Sequence, residues 1–195
     1  LRYFPILIAY TLCTEVLGWY ILKHEEYQID YRGLAEYYTI NNTAIYNIFD
    51  IIFFLYFFFI YWKIINNSLS KSAIKYCSLV FVLVSFVNLF FQDFWLFPQI
   101  WSIIVGSSLL VMCVCLYLKD SKIGNSKISR RYNLLFWISL GLLVFYPSYP
   151  ILIIVGVYNS DLYVKWFKEL HHVLIAAMYL CFTIGFLSMK RFKFS

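Results

Sequence analysis

Charged residues are scarce in this sequence. Lys, Arg, Asp and Glu make up 13% of its 195 residues, whereas hydrophobic residues make up 63%. Soluble globular domains average about 25% charged and about 45–50% apolar residues. So few polar side chains cannot cover the surface of a domain of this size in water. The composition therefore excludes a soluble domain and predicts a protein whose solvent is lipid.

The patterns that mark metal and redox sites are also lacking. The five cysteines form no CxxC pair, and no HxxxH or HExxH motif accompanies the three histidines, His24, His171 and His172. The intramembrane zinc hydrolases of the alkaline ceramidase and adiponectin-receptor type resemble the chain in span number but require a spaced histidine pair. We therefore expect no cofactor and no metal site. An intramembrane lipid hydrolase is disfavoured, and a non-enzymatic role is favoured over an enzymatic one.

What the sequence has is long apolar segments. Six of them reach about 20 residues, enough for a helix to cross a bilayer core of about 30 Å. They do not alternate as β-barrel strands would. We predict an all-α, polytopic transmembrane helix bundle that forms a single domain over residues 1–195. Its spans are about 3–22, 43–65, 72–91, 95–118, 132–157 and 167–189.

Two prolines interrupt the fifth of these spans. Pro147 and Pro150 lie within its second half, where proline removes a helical hydrogen bond. The pattern leaves two alternatives open. The span is either one kinked helix or a helix that ends near Tyr146 and is followed by a re-entrant stretch.

The basic residues are unevenly divided between the two sides of this bundle. Twelve lie on one side: Arg2, Lys63, Lys71, Lys75, Lys119, Lys122, Lys127, Arg130, Arg131, Lys190, Arg191 and Lys193. The other side has four: Lys23, Arg32, Lys165 and Lys168. Cytoplasmic loops carry the excess of Lys and Arg. We therefore predict that both ends of the sequence are cytoplasmic, and we attribute the net charge of +6 to these loops rather than to nucleic-acid binding.

A small set of polar residues lies inside the predicted spans. Glu15 and Asp50 are ionisable, and such residues cost at least a few kcal/mol in a bilayer and usually face the bundle interior. With the orientation above, both fall in the outer third, together with amides, a serine and a histidine. His172 is chosen over His171, which points about 100° away on a helix. The predicted ligand-binding residues are Glu15, Asn47, Asp50, Asn88, Gln99, Ser102 and His172. Interhelical hydrogen bonding is the alternative role for the uncharged members.

Three short motifs carry a resemblance to other proteins. They are Thr-Glu-Val-Leu-Gly at 14–18, Tyr-Asn-Ile-Phe at 46–49 and Phe-Trp-Ile-Ser-Leu-Gly at 136–141. Together they resemble an uncharacterised family of small, multi-spanning bacterial integral membrane proteins with about seven helices. The resemblance implies the bacterial inner membrane and a further span before Leu1. It also implies a recurrent glutamate and asparagine where Glu15 and Asn47 stand.

The gathering of polar groups at one depth favours a ligand-binding or sensor-like module with an outward-facing polar cavity. The alternatives are a structural or assembly subunit of a membrane complex, and a transporter or pore subunit. Transport is disfavoured because strong polar groups do not continue through the inner halves and no inverted repeat is visible. The expected partners are the lipid bilayer, a small or amphiphilic ligand, and a membrane-protein partner or a second copy of the chain. Nucleic acid is not expected.

Overall fold

The computed structural model describes residues 4–26, 43–123 and 133–193, with side chains described for 4–20, 43–121 and 133–188. Within these ranges the chain is helical and contains no strand. The helices are α1 (Phe4–Glu26), α2 (Thr43–Ile64), α3 (Ser68–Asn88), α4 (Ile100–Ile123), α5 (Leu134–Phe145), α6 (Tyr149–Tyr158), the short α7 (Ser160–Leu162) and α8 (Lys168–Lys193). A π-helical turn, Tyr163–Phe167, joins α7 to α8.

Among the described residues, five stretches are long and apolar enough to cross a bilayer: Thr43–Ile64, Ser68–Asn88, Ile100–Ser121, Leu134–Tyr158 and Ser160–Ser188. The apolar part of α1, Phe4–Tyr20, is shorter. A helix suits lipid because it satisfies its own backbone hydrogen bonds. The predicted all-α transmembrane bundle is confirmed, and the chain is a multi-pass membrane protein. Several basic residues used to predict its orientation, among them Arg2, Arg32, Lys127 and Arg130, lie outside the described residues.

Two helices begin at other residues than the sequence predicts, because side chains near their starts bind the backbone. Helix α3 begins at Ser68, before position 72, since Asn67 Oδ1 accepts hydrogen bonds from the backbone N–H groups of Leu69 (2.9 Å) and Ser70 (3.3 Å). Helix α4 begins at Ile100, after position 95. The preceding residues form a turn in which Asp93 Oδ1 accepts from the N–H of Trp95 at 2.8 Å.

The fifth span is broken by a turn and continues as a helix on the other side. Helix α5 ends at Phe145, residues 146–148 form the turn, and α6 begins at Tyr149. Pro150 lies in the first turn of α6. Backbone N–H groups there have no helical acceptor, so the N–H that proline lacks costs the helix no hydrogen bond. Of the two alternatives, the structure therefore favours a kinked span. The turn brings Tyr146 and Tyr149 toward α2.

The core is built from aromatic rings and from a close approach of two helices. Phe54 and Phe81 are fully buried between α2, α3 and α4, with ring centroids 5.3 Å apart. Helices α5 and α8 pack along Gly141 and Gly185. A Cβ atom on Gly141 would lie 2.9 Å from the backbone oxygen of Met178. Small residues at such contacts let transmembrane helices approach closely, so this pair fixes where α8 lies.

Candidate functional site

A cavity of about 700 Å³ lies between α1, α2, α8 and the junction of α5 with α6. This volume is within the roughly 300–1,000 Å³ of typical small-molecule sites. Three of the predicted site residues line this cavity: the acidic residues Glu15 and Asp50, and Asn47. The cavity therefore brings together polar groups from α1 and α2 that are far apart in sequence.

Asp50 is the buried carboxyl group of the cavity, with only 8% of its surface exposed. Its Oδ2 atom accepts a hydrogen bond of 3.1 Å from the hydroxyl of Tyr149, across from α6. No described residue donates a hydrogen bond to Oδ1. A carboxylate has about four lone-pair sites. Asp50 therefore retains acceptor capacity that the described protein groups leave unused.

Glu15 lies at the mouth of the cavity, because its side chain is exposed while it also lines the wall. Its Oε2 atom accepts a hydrogen bond of 3.3 Å from the hydroxyl of Tyr46. Gly18, one turn further along α1, leaves room for that hydroxyl: a Cβ there would lie 2.6 Å from Tyr46 Oη. Tyr149, which donates to Asp50, lines the same cavity as Glu15. The two carboxyl groups thus belong to one site.

The opposite end of the cavity is apolar and closed by aromatic rings. Phe4 is 1% exposed, and its ring packs against Phe57 and Phe182 with centroids 6.4 and 5.8 Å away. Phe53 and Met178 line the wall between this end and the carboxyl groups. The cavity is therefore amphiphilic along its length, with polar groups at one end and hydrocarbon at the other.

The cavity also reaches the outside of the described bundle, between α1 and α8. Ile8, Leu12 and Tyr179 line it, yet they are 38%, 64% and 41% exposed. Because these residues line the cavity and are also exposed, we infer that its wall is open between α1 and α8. In a membrane protein, the solvent beside apolar residues in the middle of a span is lipid. We call this opening between α1 and α8 the lateral gap.

The structure places His171, rather than the predicted His172, in the wall of the cavity. His172 is exposed, whereas His171 lines the cavity, and its ring stacks on Phe145 at 5.8 Å. The hydroxyl of Tyr163, in the π-helical turn, is hydrogen-bonded to His171 Nδ1 at 2.6 Å. Helix α8 is rotated about its axis so that His171 faces the cavity. This rotation follows from its contact with α5, which places the face that carries Gly185 inward. The interior face of α8 is thus its apolar one.

Three further predicted residues, Asn88, Gln99 and Ser102, do not line the cavity. They form a separate buried cluster in which Asn88 Nδ2 donates to Gln99 Oε1 at 2.9 Å and to Ser102 Oγ at 3.4 Å. All three are at most 4% exposed. The structure therefore does not bring these three residues together with Glu15 and Asp50. Their hydrogen bonds join α3 to α4, which is the interhelical role that the sequence left open.

Asn47 lies where the cavity meets the turn between α3 and α4. Its side chain lines the cavity, but its amide binds the turn that connects α3 to α4. Nδ2 donates to the backbone oxygens of Phe94 (2.7 Å) and Phe97 (3.0 Å), and Oδ1 accepts from the backbone N–H of Gln99 at 3.1 Å. Buried backbone groups outside regular structure need such partners. All the polar atoms of this amide are thus engaged by the protein itself.

Tyr46 as the donor to Glu15, and the pair of Tyr163 with His171, were not predicted from the sequence. Tyr46 precedes Asp50 by one helical turn, so the same face of α2 carries both, and that spacing could have revealed it. Tyr163 and His171 carry no such signal, because a π-helical turn lies between them.

Comparisons with protein-family models, with curated proteins and with solved structures found no match to this chain.

Proposed function

We propose that this protein binds an amphiphilic ligand in the cavity and acts as a ligand-binding or sensor-like membrane module. The observation that carries the proposal is the continuity of one cavity from buried Asp50, through apolar walls, to the ring of Phe4. Such a shape fits a molecule with a polar head and a hydrocarbon tail. The lateral gap gives this molecule access from the lipid in which amphiphiles are dissolved.

The closed apolar end supports binding rather than conduction. A transport pathway for ions needs polar or ionisable groups along its length. The described cavity ends at Phe4 and Phe182, and the ring of Phe4 packs against the rings of Phe182 and of Phe57 behind it. A ligand that enters through the lateral gap is therefore held in the cavity rather than passed across the membrane.

We also propose the orientation that the basic residues indicate, in a bacterial inner membrane with both ends of the sequence in the cytoplasm. The twelve-to-four division of Lys and Arg supports it. In this orientation the carboxyl end of the cavity is nearer the outer face. The basic inner loops are then the surface on which a cytoplasmic or membrane partner would read the occupancy of the cavity.

Filling the cavity tests the proposal. A neutral long-chain alcohol that carries a photoactivatable diazirine in its tail serves as the probe, with the purified protein in nonionic maltoside micelles. We expect crosslinks to peptides that contain Met178 and Phe182. Thr11→Trp places a large ring among the lining residues, and it should reduce these crosslinks several-fold by excluding the tail.

Val16→Trp is the matched control, because Val16 lies on the same helix, is 57% exposed and does not line the cavity. It should leave the crosslinks unchanged. Ile175→Trp fills the cavity from α8 and replaces Thr11→Trp if that variant does not fold as a monodisperse species. Equal crosslinking in the wild type and in a folded cavity-filled variant would overturn the proposed function.

A further inference from the structure

We infer that the cavity selects an organic ammonium cation that carries a hydrocarbon tail. This inference rests on the proposed function and adds to it the charge and chemical class of the head group. Its basis is the combination of two carboxyl groups, unused acceptor atoms and aromatic walls at one end of the same cavity.

The charge of the polar end points to a cation. Glu15 and Asp50 line the cavity, and none of the described lining residues is a lysine or an arginine. His171 is the one described lining residue that can carry a positive charge, so an anionic head group would meet two carboxyl groups and at most one cation. Asp50 is 8% exposed, so its ionised form is costly without a partner, and a bound cation would favour that form.

The hydrogen-bonding groups of the cavity favour a head group that donates hydrogen bonds. Tyr149 supplies one hydrogen bond to Asp50 Oδ2, and Tyr46 supplies one to Glu15 Oε2. No described residue donates to the other oxygen of either carboxyl group. An ammonium group brings both the positive charge and up to three N–H donors. It therefore satisfies the atoms that the protein leaves unpaired, which a carboxylate or a sulfate cannot do.

The walls around the carboxyl groups are aromatic. Tyr149 packs against Phe145 and Tyr146, with ring centroids 5.1 and 5.7 Å away, and all three line the cavity. A cation is attracted to the face of an aromatic ring, and recognition of ammonium ligands commonly uses such rings. The aromatic walls thus favour the same ligand class as the carboxyl groups, through a different interaction.

The test measures competition against the neutral diazirine alcohol described above. The competitors share a dodecyl chain and differ in the head group: dodecylammonium, dodecyltrimethylammonium, dodecanol and dodecanoate. We expect dodecylammonium to reduce the crosslinks at concentrations about tenfold or more below those of dodecanol, since hydrogen bonds between charged groups are stronger than those of a neutral hydroxyl. Dodecanoate should compete least.

Asp50→Asn keeps the shape of the side chain and removes its charge. It should retain crosslinking by the alcohol and lose the preference for dodecylammonium. Glu15→Gln provides a second variant at the mouth if Asp50→Asn does not fold. Glu169→Gln is the matched control, because Glu169 is an exposed carboxyl group on α8 that does not line the cavity. It should keep the full preference.

The outcomes separate the two proposals. Failure of the alcohol to crosslink specifically overturns the proposed function. Specific crosslinking with equal competition by all head groups overturns the ammonium assignment alone, as does a preference that survives in both Asp50→Asn and Glu15→Gln. A lysophosphatidylethanolamine of the same chain length identifies the source of the ammonium group. Competition equal to that of dodecylammonium assigns a lipid head group, and weak competition assigns a free amine.

Discussion

Replacement of Asn47 by alanine is expected to lower the free energy of unfolding by about 3 kcal/mol. Leaving buried polar groups unpaired costs about 1–3 kcal/mol each. The substitution removes three hydrogen bonds, to the backbone oxygens of Phe94 and Phe97 and from the N–H of Gln99. Asn47 is 3% exposed, so lipid or water cannot replace these partners without rearrangement. Unfolding by sodium dodecyl sulfate in mixed micelles, followed by circular dichroism, measures the loss.

Asn67→Ala is the comparison for this variant. Asn67 also accepts hydrogen bonds from backbone N–H groups, at Leu69 and Ser70, but it caps α3 at an exposed position. Loss of a helix cap costs about 1 kcal/mol. The Asn47 variant should therefore be the less stable of the two by a clear margin. Equal losses would show that the turn after α3 does not depend on the Asn47 amide.

Replacement of Gly141 by alanine is expected to lower the free energy of unfolding by about 2 kcal/mol, within the range of overpacked cores. The added Cβ atom would lie 2.9 Å from the backbone oxygen of Met178 and 2.9 Å from the ring of Phe182. A backbone oxygen cannot rotate away as a side chain can. Helices α5 and α8 must therefore separate. The same detergent titration measures the effect, and the separation should also enlarge the cavity at Met178.

Gly156→Ala is the matched control in α6. A Cβ atom there meets Tyr163 at 3.6 Å, which is ordinary van der Waals contact. Alanine is favoured over glycine in a helix by up to about 1 kcal/mol. The control should be as stable as the wild type or more stable, so the two substitutions have opposite signs. Destabilisation by both would mean that helix geometry, rather than the contact of α5 with α8, determines the result.

The fold class could be predicted from the sequence because it depends on properties that composition and segment length carry directly. The shared position of Glu15 and Asp50 could also be predicted, since a carboxyl group in a span is costly wherever it faces hydrocarbon. The side of α8 that faces inward could not. The sequence favoured His172, whereas the face of α8 that carries Gly185 packs against α5 and His171 lines the cavity. A close backbone approach leaves no periodic signal in one helix.

The cluster of Asn88, Gln99 and Ser102 was misassigned for a different physical reason. Depth in the membrane places residues in a layer, but it does not say which of them meet. The turn between α3 and α4 carries backbone groups that need partners, and Asn47 and Gln92 supply them: the N–H of Ile100 donates to Gln92 Oε1 at 3.0 Å. Such needs depend on the path of a loop, which the sequence does not reveal. Four of the seven predicted binding residues therefore stabilise α3, α4 and the turn between them: Asn47, Asn88, Gln99 and Ser102.

The lateral gap determines which ligand concentration would control the occupancy of the cavity. A cavity that opens to water fills according to the number of ligand molecules in a volume. The gap between Leu12 on α1 and Tyr179 on α8 opens beside the membrane core, so occupancy would follow the mole fraction of the ligand among the surrounding lipids. A sparingly soluble amphiphile can be scarce in water and abundant in that plane. The protein would then report the make-up of its own leaflet rather than that of the medium outside.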